Sequence, residues 1–436
     1  MDHEKLGSEQ DGVGRRPDRA PPWCVNFRVT EVKSFRIVVV GTLASYPYAG
    51  HAWVHMQLTA GLRRLGHDAY YIEATSTWPY DPIRQTKVND SEYAVPYLEK
   101  VARSFGLGDR WAYRRSYSDK EWIGLSRAKA EELLAHADAV LNVAGGTRLR
   151  TKEDLKVGRL VYFGTDPVFD ELAYRKGDKA VRRTIDQHDD IVTIGENIGN
   201  AECALPSLPR LRAKTRQPVL LDYWQAEPPS KQEFTTICNW KQNGRDIEFE
   251  GETYYWSKHY EFLKFIGLPG KIGVPIELAM GLADATSTRP GFGDEVPAAG
   301  ITTEERHMLE SNGWRLADAH KFTLDPWPYR DYIRASRGEF SVAKDQNVRF
   351  RTGWFSDRSA CYLAAGRPVI VQDTGFGTVL PTECGLFAFN TMEDIIAAFD
   401  AINSDYEKHC RAARAIAEEY FRAETVLKKL LYDLGV

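Results

Sequence analysis

The chain has 436 residues, of which 43% are hydrophobic and 27% charged, and its formal net charge is −4. These values indicate a globular protein long enough for two domains, and they give no support for a nucleic-acid-binding surface. The six cysteines are scattered without a CxxC pair, so we expect neither a structural zinc site nor a disulfide framework, and we expect a cytoplasmic protein. No apolar run reaches membrane-spanning length.

The start of the chain predicts a Rossmann-like unit. Residues 1–33 are polar and rich in Gly, Pro and charge, which predicts a disordered leader. The apolar run 35–40 (FRIVVV) predicts a strand buried on both faces, followed by a loop over 41–50, a helix over 51–65 and a strand over 69–72. This order is typical of a parallel α/β domain, which we expect to span 34–203.

The remainder of this first domain predicts an insertion and three further strands. Residues 76–118 are aromatic and polar, with one predicted helix near 93–105, and a second helix is predicted over 119–136. Strands are predicted over 139–143, 159–163 and 190–194. Asp166 and Glu196 come just after two of these strands. Because the carboxyl ends of parallel strands face the ligand crevice, we expect these carboxylates near a site.

A second α/β domain is predicted over 233–404, after a Pro-rich linker over 204–232. Its first strand, 234–238, is followed by Trp240. The pattern then predicts a helix over 254–266, a short apolar segment over 275–283, a loop over 284–300, a strand over 313–317 and a helix over 328–336. Helices over 392–402 and 405–434 end the chain.

The stretch 347–389 carries the strongest functional pattern. A helix of small residues over 359–365, with Ser356 or Asp357 as N-cap and Gly366 as its stop, precedes a buried strand over 369–371 and a Gly-rich loop over 374–378. Three arginines lie nearby, at positions 349, 351 and 358. Backbone N–H groups at a helix start and guanidinium groups are suited to binding a phosphate or diphosphate.

These residues resemble the GT-B glycosyltransferases. The segment 364–377 (AAGRPVIVQDTGFG) is similar to their donor-binding region, and Gly50-His51 followed by Gly66-His67 is similar to their first unit. The resemblance implies two Rossmann-like domains facing across a cleft, and a C-terminal helix, 405–436, that crosses back to the first domain. It also implies transfer of a hexosyl or deoxyhexosyl unit from a nucleotide diphosphate sugar to an acceptor hydroxyl, with no cofactor and no metal.

The resemblance also assigns candidate residues. The acceptor is expected on the first domain, where His51 matches the general base of inverting members and His55, one turn further on, could replace it. Asp166 or Glu196 would orient the imidazole. The donor is expected against the second domain, at Trp240, Lys344, Arg349, Arg351, Ser356, Arg358, Ser359, Asp373, Thr374, Gly375 and Gly377. Basic side chains such as Lys344 would neutralise the departing diphosphate in place of a metal ion.

The sequence departs from the family pattern at two points, so the stereochemical outcome stays open. Cys361 stands where retaining members usually have Glu, and Gly353-Trp354-Phe355 stands where many inverting members have His-Gly-Gly. Two alternatives therefore remain: a nucleotide-sugar epimerase or hydrolase, and a non-catalytic nucleotide-sugar-binding scaffold. A third is NAD binding, since Glu73 follows the second strand, but the first loop lacks G-x-G-x-x-G.

Overall fold

The computed structural model describes residues 33–284, 288–289, 296–297 and 300–436. The predicted leader, apart from Lys33, and most of the predicted 284–300 loop lie outside these residues. Residues Ser34–Val436 form one compact unit. The unit contains two α/β halves, each built on its own sheet.

The first half is an eight-stranded sheet. Its strands are β1 (Arg36–Val40), β2 (Asp68–Ala74), β3 (Trp111–Arg114), β4 (Trp122–Gly124), β5 (Ala139–Val143), β6 (Leu160–Gly164), β7 (Asp190–Thr193) and β8 (Leu211–Lys214). They are ordered β8-β7-β6-β5-β1-β2-β3-β4, and all neighbours are parallel except β3 and β4. The central strands β1 and β5 are mostly apolar and almost entirely buried, as is typical of a parallel sheet covered on both faces.

The second half is a six-stranded parallel sheet. Its strands are β9 (Phe234–Ile237), β10 (Ile276–Met280), β11 (Arg315–Asp318), β12 (Gly338–Ser341), β13 (Val369–Gln372) and β14 (Leu386–Phe389). The order is β11-β10-β9-β12-β13-β14, and every neighbouring pair is parallel. Two mostly parallel sheets, one after the other along the chain, confirm the predicted α/β class with two Rossmann-like halves.

Fourteen α-helices are present among the described residues. They are α1 (Ala49–Arg64), α2 (Ala94–Ser104), α3 (Arg127–His136), α4 (Phe169–Lys176), α5 (Lys179–Asp186), α6 (His259–Lys264), α7 (Thr303–Ser311), α8 (His320–Thr323), α9 (Pro326–Ala335), α10 (Asp345–Phe350), α11 (Asp357–Ala364), α12 (Met392–Ser404), α13 (Tyr406–Ile416) and α14 (Ala423–Leu434). Across residues 33–284 and 300–436, no helix combines the length and the apolar character needed to cross a bilayer.

Two predicted helices are shorter than the sequence pattern indicated. The predicted helix 119–136 begins only at Arg127, after the cap Ser126, because β4 occupies the residues before it. The predicted helix 254–266 is reduced to α6, because its start belongs to a hairpin of Ile247–Phe249 and Glu252–Tyr254. Glu250 and Gly251, both at positive φ, make the tight turn of this hairpin.

The C-terminal segment is also not one helix, since a π-helical turn over Ala417–Phe421 separates α13 from α14. Helix α14 packs against α1 in the first half. A Cβ on Gly61 would lie 2.6 Å from Leu427 Cδ1, so a larger residue here would require the Leu427 side chain to move. At the end of α14, the Asp433 carbonyl accepts a hydrogen bond from Arg212 Nε at 3.1 Å.

The segment predicted as a linker, 204–232, is largely built into the first half. It supplies edge strand β8, and Val219 then pairs with the chain around Arg422. The halves also share a single apolar cluster, in which the rings of Trp53 and Trp224 lie 4.6 Å apart. Trp53 Nε1 donates to the Pro326 carbonyl at the start of α9, at 3.0 Å. The two sheets are therefore joined by a continuous core.

Candidate active site

The main cavity of the described residues lies between the carboxyl ends of the two sheets and has a volume of about 740 Å³. We call the lining residues up to position 217 the first-domain wall and those from position 237 onward the second-domain wall. Thr42, Ala144 and Thr165 follow β1, β5 and β6 on the first-domain wall, and Cys238 follows β9 on the opposite one. This is the crevice that the carboxyl ends of parallel strands form in open α/β sheets.

The loop between β1 and α1 is held in place by Glu73. The fully buried carboxylate accepts hydrogen bonds from Ala44 N at 2.7 Å, Ser45 N at 2.8 Å, Ser45 Oγ at 2.5 Å and Tyr71 OH at 2.9 Å. Burial raises the pKa of Glu73 to about 7, although these hydrogen bonds oppose the shift. Glu73 is thus committed to the loop and is not available to a ribose, which removes the residue that suggested NAD binding.

His51 lies in the first turn of α1 with its side chain open to the cavity. The surrounding cleft lowers the pKa of His51 by desolvation, and a hydrogen bond with the Tyr46 backbone opposes this shift. The imidazole is therefore neutral at pH 7 and can accept a proton. The catalytic role of His51 stays a prediction.

His55, one turn further along α1, is 4% exposed and also lines the cavity. Burial lowers its pKa to about 4, so the ring is neutral. Its Nδ1 lies 2.7 Å from the His51 carbonyl and donates to it, which leaves a lone pair on Nε2. Nε2 is buried and has no hydrogen-bond partner among the described residues.

Neither predicted carboxylate contacts His51. Asp166 lines the cavity but forms an ion pair with Lys344 of the second-domain wall, and Glu196 Oε2 accepts from Arg216 at 2.7 Å. The expected orienting role of Asp166 or Glu196 is therefore wrong in this structure. Sequence reasoning could not choose the partner of Asp166, because Lys344 is 178 residues away in the chain.

Lys344 is also in contact with an aromatic ring. Its Nζ lies 3.0 Å from the centroid of the Trp256 ring, and desolvation lowers its pKa while Asp166 opposes that shift. A second cross-cleft contact lies beside it, where Trp354 Nε1 donates to the Thr165 carbonyl at 3.1 Å. At the floor of the cleft, the residues that follow β6 are therefore connected to loops of the second half by these two contacts.

Arg358 lines the cavity, as predicted, but its guanidinium is already used inside the protein. Nε donates to Glu339 Oε1 at 2.6 Å, Nη1 to the Ile237 carbonyl at 2.6 Å, and Nη2 to Ser341 Oγ at 2.9 Å. Arg358 therefore contributes positive charge to the second-domain wall through a fixed, buried network. Its charge is largely balanced by Glu339.

Lys258 is the cation that the sequence analysis missed. It is 8% exposed, lines the same wall, and makes no ion pair with the described residues; its Nζ lies 5.6 Å from the Trp354 ring centroid. Burial, and next the charge of Arg358, lower its pKa to about 7. The sequence placed Lys258 inside a predicted helix, where a single lysine carries no signal; the hairpin that shortens this helix is what brings it to the cavity.

The predicted donor residues are divided by the structure. Trp240, Lys344, Ser356 and Arg358 line the main cavity, and Ser359 and Thr374 line an adjoining cavity of about 10 Å³. Ser356 is the N-cap of α11 but makes no capping hydrogen bond with its side chain. A ligand in the cavity would therefore meet the start of α11, as the phosphate argument requires.

The other predicted donor residues do not line either cavity. Arg349 pairs with Glu252 and lies over the Tyr254 ring, with its Cζ 3.9 Å from the centroid. Arg351 Nη1 lies 3.3 Å from Asp373 Oδ2. Arg349, Arg351 and Asp373 therefore contact other groups of the protein and do not line the predicted donor site.

The Gly-rich loop is occupied by the first half. Asn197 Nδ2 donates to the Gly375 carbonyl at 2.9 Å and to the Arg351 carbonyl at 3.1 Å, while its Oδ1 accepts from Thr378 Oγ1 at 2.8 Å. Gly375 therefore lies at the contact between the halves, and neither Gly375 nor Gly377 lines the main cavity. Asn197 thus connects the first half to the Gly-rich loop, and the sequence analysis did not single it out.

Metal ligands were not predicted, and the described residues contain no group of three or more His, Cys, Asp or Glu side chains that could hold a metal ion. Metal independence stays a prediction. The positive charges on the second-domain wall are those of Lys258, Lys344 and Arg358, together with Lys241, which is paired with Glu305 at 2.8 Å; Asp357 adds one carboxyl group to this wall.

No family model and no curated protein matches the sequence. Solved structures do match the fold. An alpha-glucosyltransferase in complex with UDP and a 13-mer DNA superposes with a TM-score of 0.53 at 10% identity, over 93% of this chain and 100% of that one. Anabaena HepE in complex with UDP-glucose has a TM-score of 0.53 at 9% identity, over 92% and 99%. The chain has the GT-B fold.

A third similar structure, sucrose-phosphate synthase from Thermosynechococcus elongatus, has a TM-score of 0.52 at 12% identity and covers 92% of this chain and 98% of the other. Because these matches span nearly the whole of each chain, the predicted GT-B architecture is confirmed for the chain from first to second sheet. The low identities explain why sequence comparison alone finds no relative.

Proposed function

We propose that this GT-B protein is a glycosyltransferase that moves a sugar from a nucleoside diphosphate sugar to a hydroxyl group of an acceptor. The observation that carries the proposal is the cavity itself. It joins a wall with a neutral histidine to a wall with an unpaired buried lysine, at the crevice of a GT-B fold. Similar structures contain UDP or UDP-glucose, which supports a nucleotide-sugar donor.

The donor diphosphate is proposed to lie on the second-domain wall. Lys258 supplies the charge that has no counter-ion, Arg358 adds the positive charge of its fixed network, and the backbone N–H groups at the start of α11 near Ser356 add donors. A nucleoside diphosphate carries negative charge that grows on the leaving oxygen during transfer. Fixed cations and N–H groups in a cleft stabilise such charge without a metal ion.

The proposed reaction is a direct displacement. The acceptor oxygen forms a bond to the anomeric carbon while the bond from that carbon to the diphosphate oxygen breaks. The acceptor proton passes to His51, and the nucleoside diphosphate leaves with the bonding electron pair. Attack from the face opposite the leaving group inverts the anomeric centre. Asp166 takes no part in orienting His51, because its partner is Lys344.

Retention through a residue at position 361 is not favoured. Cys361 is buried, burial raises its pKa well above the ordinary thiol value, and its Sγ accepts a long hydrogen bond from Gln57 Nε2 at 3.9 Å. A non-catalytic nucleotide-sugar-binding scaffold is the main alternative, since it needs the second-domain wall but not His51. An epimerase or hydrolase would consume the donor without an acceptor.

The test compares wild type with His51→Ala and with His136→Ala, a control at an exposed position on α3. UDP-glucose, GDP-mannose and dTDP-glucose are offered with a glycan array, and nucleoside diphosphate release and product configuration are measured. We expect release that needs an array component, an inverted product, and loss of transfer in His51→Ala with unchanged donor affinity. If His51→Ala retained transfer, His51 would not be the base. If the nucleoside diphosphate were released without any acceptor, the hydrolase would be favoured.

A further inference from the structure

We infer that the acceptor is an uncharged saccharide, bound against the first-domain wall by an unpaired amide side chain and an aromatic platform. This inference rests on the proposed function in placing the donor on the opposite wall. It goes beyond that function by naming the chemical class of the acceptor, and the observations that carry it are the charge, the hydrogen-bonding groups and the rings of this wall.

The first-domain wall is electrically neutral among the residues that the structure describes. Asp166 is the only residue of this wall with a carboxylate, and it is neutralised by Lys344. His51 and His55 are uncharged at pH 7 because burial lowers both pKa values. All lysines and arginines that line the cavity belong to the second-domain wall. An anionic acceptor, such as a phosphorylated sugar or a nucleic acid, would find no cation on this side.

One polar side chain on this wall faces the cavity without a hydrogen-bond partner among the described residues. It is not His55, because the buried Nε2 of that ring lies 2.0 Å from the position that a Cβ on Gly41 would take and is therefore packed against the Gly41 backbone. Gln217 is 5% exposed and lines the cavity, and its side-chain amide has no hydrogen-bond partner in the described part of the chain. A ligand that pairs with this amide gains a hydrogen bond that the protein itself does not supply.

A free amide in the cavity fits hydroxyl groups in particular. The amide of Gln217 can donate to one hydroxyl and accept from its neighbour. Adjacent hydroxyl groups that both donate and accept are the defining feature of a saccharide. A hydrocarbon acceptor would leave the amide unpaired, and a fully ionised phosphate could not donate to its carbonyl oxygen.

An aromatic surface lines the same cavity. Tyr48 lines the cavity and stacks on Tyr80, with the ring centroids 5.9 Å apart. The ring of His320, from the second-domain wall, lies 6.5 Å from Tyr48. Aromatic faces are apolar surfaces that pack against the C–H faces of sugar rings, while the hydroxyl edge is left for hydrogen bonds. The rings and the unpaired amide together match a neutral, polyhydroxylic ligand.

The experiment measures binding rather than transfer. Wild type is titrated, with and without saturating UDP, with maltose, cellobiose and trehalose as neutral probes, and with glucose 6-phosphate, glucuronic acid and a short DNA duplex as anionic probes. Saturation-transfer NMR and calorimetry report binding. The variants are Gln217→Leu, which removes the amide, Gln217→Lys, which adds a cation, and Thr215→Val, a buried control two residues away that does not line the cavity.

We expect at least one neutral probe to bind wild type and no anionic probe to compete with it. Gln217→Leu should weaken that binding about fivefold to tenfold, the effect of one lost hydrogen bond, while Thr215→Val should not change it. Gln217→Lys should gain affinity for glucose 6-phosphate. Nucleotide affinity that is equal in all variants would show that they are folded.

Three results would overturn the inference: preference of wild type for an anionic probe, absence of binding by every neutral probe, or neutral binding that Gln217→Leu leaves unchanged. If the donor proposal is wrong, a different pattern is expected: UDP and other nucleoside diphosphates do not bind, whereas the binding of saccharides is unaffected.

Discussion

Lys344 and Asp166 form an ion pair across the cleft, joining the end of β12 in the second half to the end of β6 in the first. The side chain of Lys344 is only 7% exposed and that of Asp166 is 29% exposed. Asp166 is therefore not a hydrogen-bond partner of His51. Lys258 is the lysine of the cavity that has no counter-ion among the described residues. Lys344 and Asp166 thus connect the two halves, whereas Lys258 is available to bind a ligand.

Replacing one partner of this pair should destabilise the protein. Asp166→Asn leaves the buried ammonium of Lys344 without a counter-charge, so we expect the free energy of unfolding to fall by about 3 kcal/mol. Glu131→Gln, which breaks an exposed pair with Arg127 on α3, should change it by less than about 0.5 kcal/mol. Denaturant unfolding measures both.

The double variant Asp166→Asn/Lys344→Met should recover most of the loss, since no charge is then left buried. If Asp166→Asn is as harmless as Glu131→Gln, the ion pair does not hold the cleft.

Donor affinity should depend on pH through Lys258. In the free protein its pKa is about 7, and a bound diphosphate would raise it by attraction. The protonated form binds more tightly, so affinity is highest below pH 7 and falls as pH rises above it, by up to about tenfold per pH unit. The probe should be an intact nucleotide sugar such as UDP-glucose, because its diphosphate diester has no group that titrates near neutral pH.

The matched variant for this profile is Lys258→Arg, whose guanidinium stays charged throughout. Its calorimetric affinity should be nearly constant over the same pH range. A wild-type profile as flat as that of the arginine variant would contradict the role of Lys258.

Glu73 should make stability depend on pH in a defined direction. Its pKa is raised from 4.5 to about 7 on folding, so the folded state holds the proton more tightly than the unfolded state. The associated stability is complete below pH 4.5 and is lost as pH rises through about 7. The loss amounts to at most about 3 kcal/mol.

Glu73→Gln cannot ionise but can still accept from the loop N–H groups. Relative to this variant, wild type should therefore lose stability between acidic and neutral pH, as measured by denaturant midpoints at several pH values. Parallel curves for the two proteins would show that Glu73 is ionised already at low pH.

Much of the fold could be predicted because it depends on local pattern. The run at 37–40 is apolar throughout and lies in a central strand, and the segment 369–372 between Gly366 and the Gly-rich loop is another strand. The position of His51 at the start of α1 also follows from local order, because a strand, a loop and a helix place it at the crevice. Such features need only the periodicity of the chain and the rule for strand ends.

The contents of the site depend on distant partners and could not be predicted. Arg349 and Arg351 look like phosphate ligands in sequence, but Glu252 and Asp373 satisfy them. Asn197 occupies the Gly-rich loop from 178 residues away. Lys258 reaches the cavity because a hairpin with Glu250 at positive φ shortens the predicted helix. In each case the outcome is decided by which of several equivalent charges or amides is nearest in three dimensions.

The central claim is that the second-domain wall binds a nucleoside diphosphate, and calorimetric titration tests it most directly. Wild type, Lys258→Ala and the control Lys264→Ala, an exposed lysine on α6, are titrated with UDP, GDP, dTDP and NAD. We predict that one nucleoside diphosphate binds wild type and Lys264→Ala equally, and that Lys258→Ala loses about 1.5–3 kcal/mol of binding free energy, the value of a charged hydrogen bond. Binding of NAD alone, or an unchanged affinity in Lys258→Ala, would contradict the account.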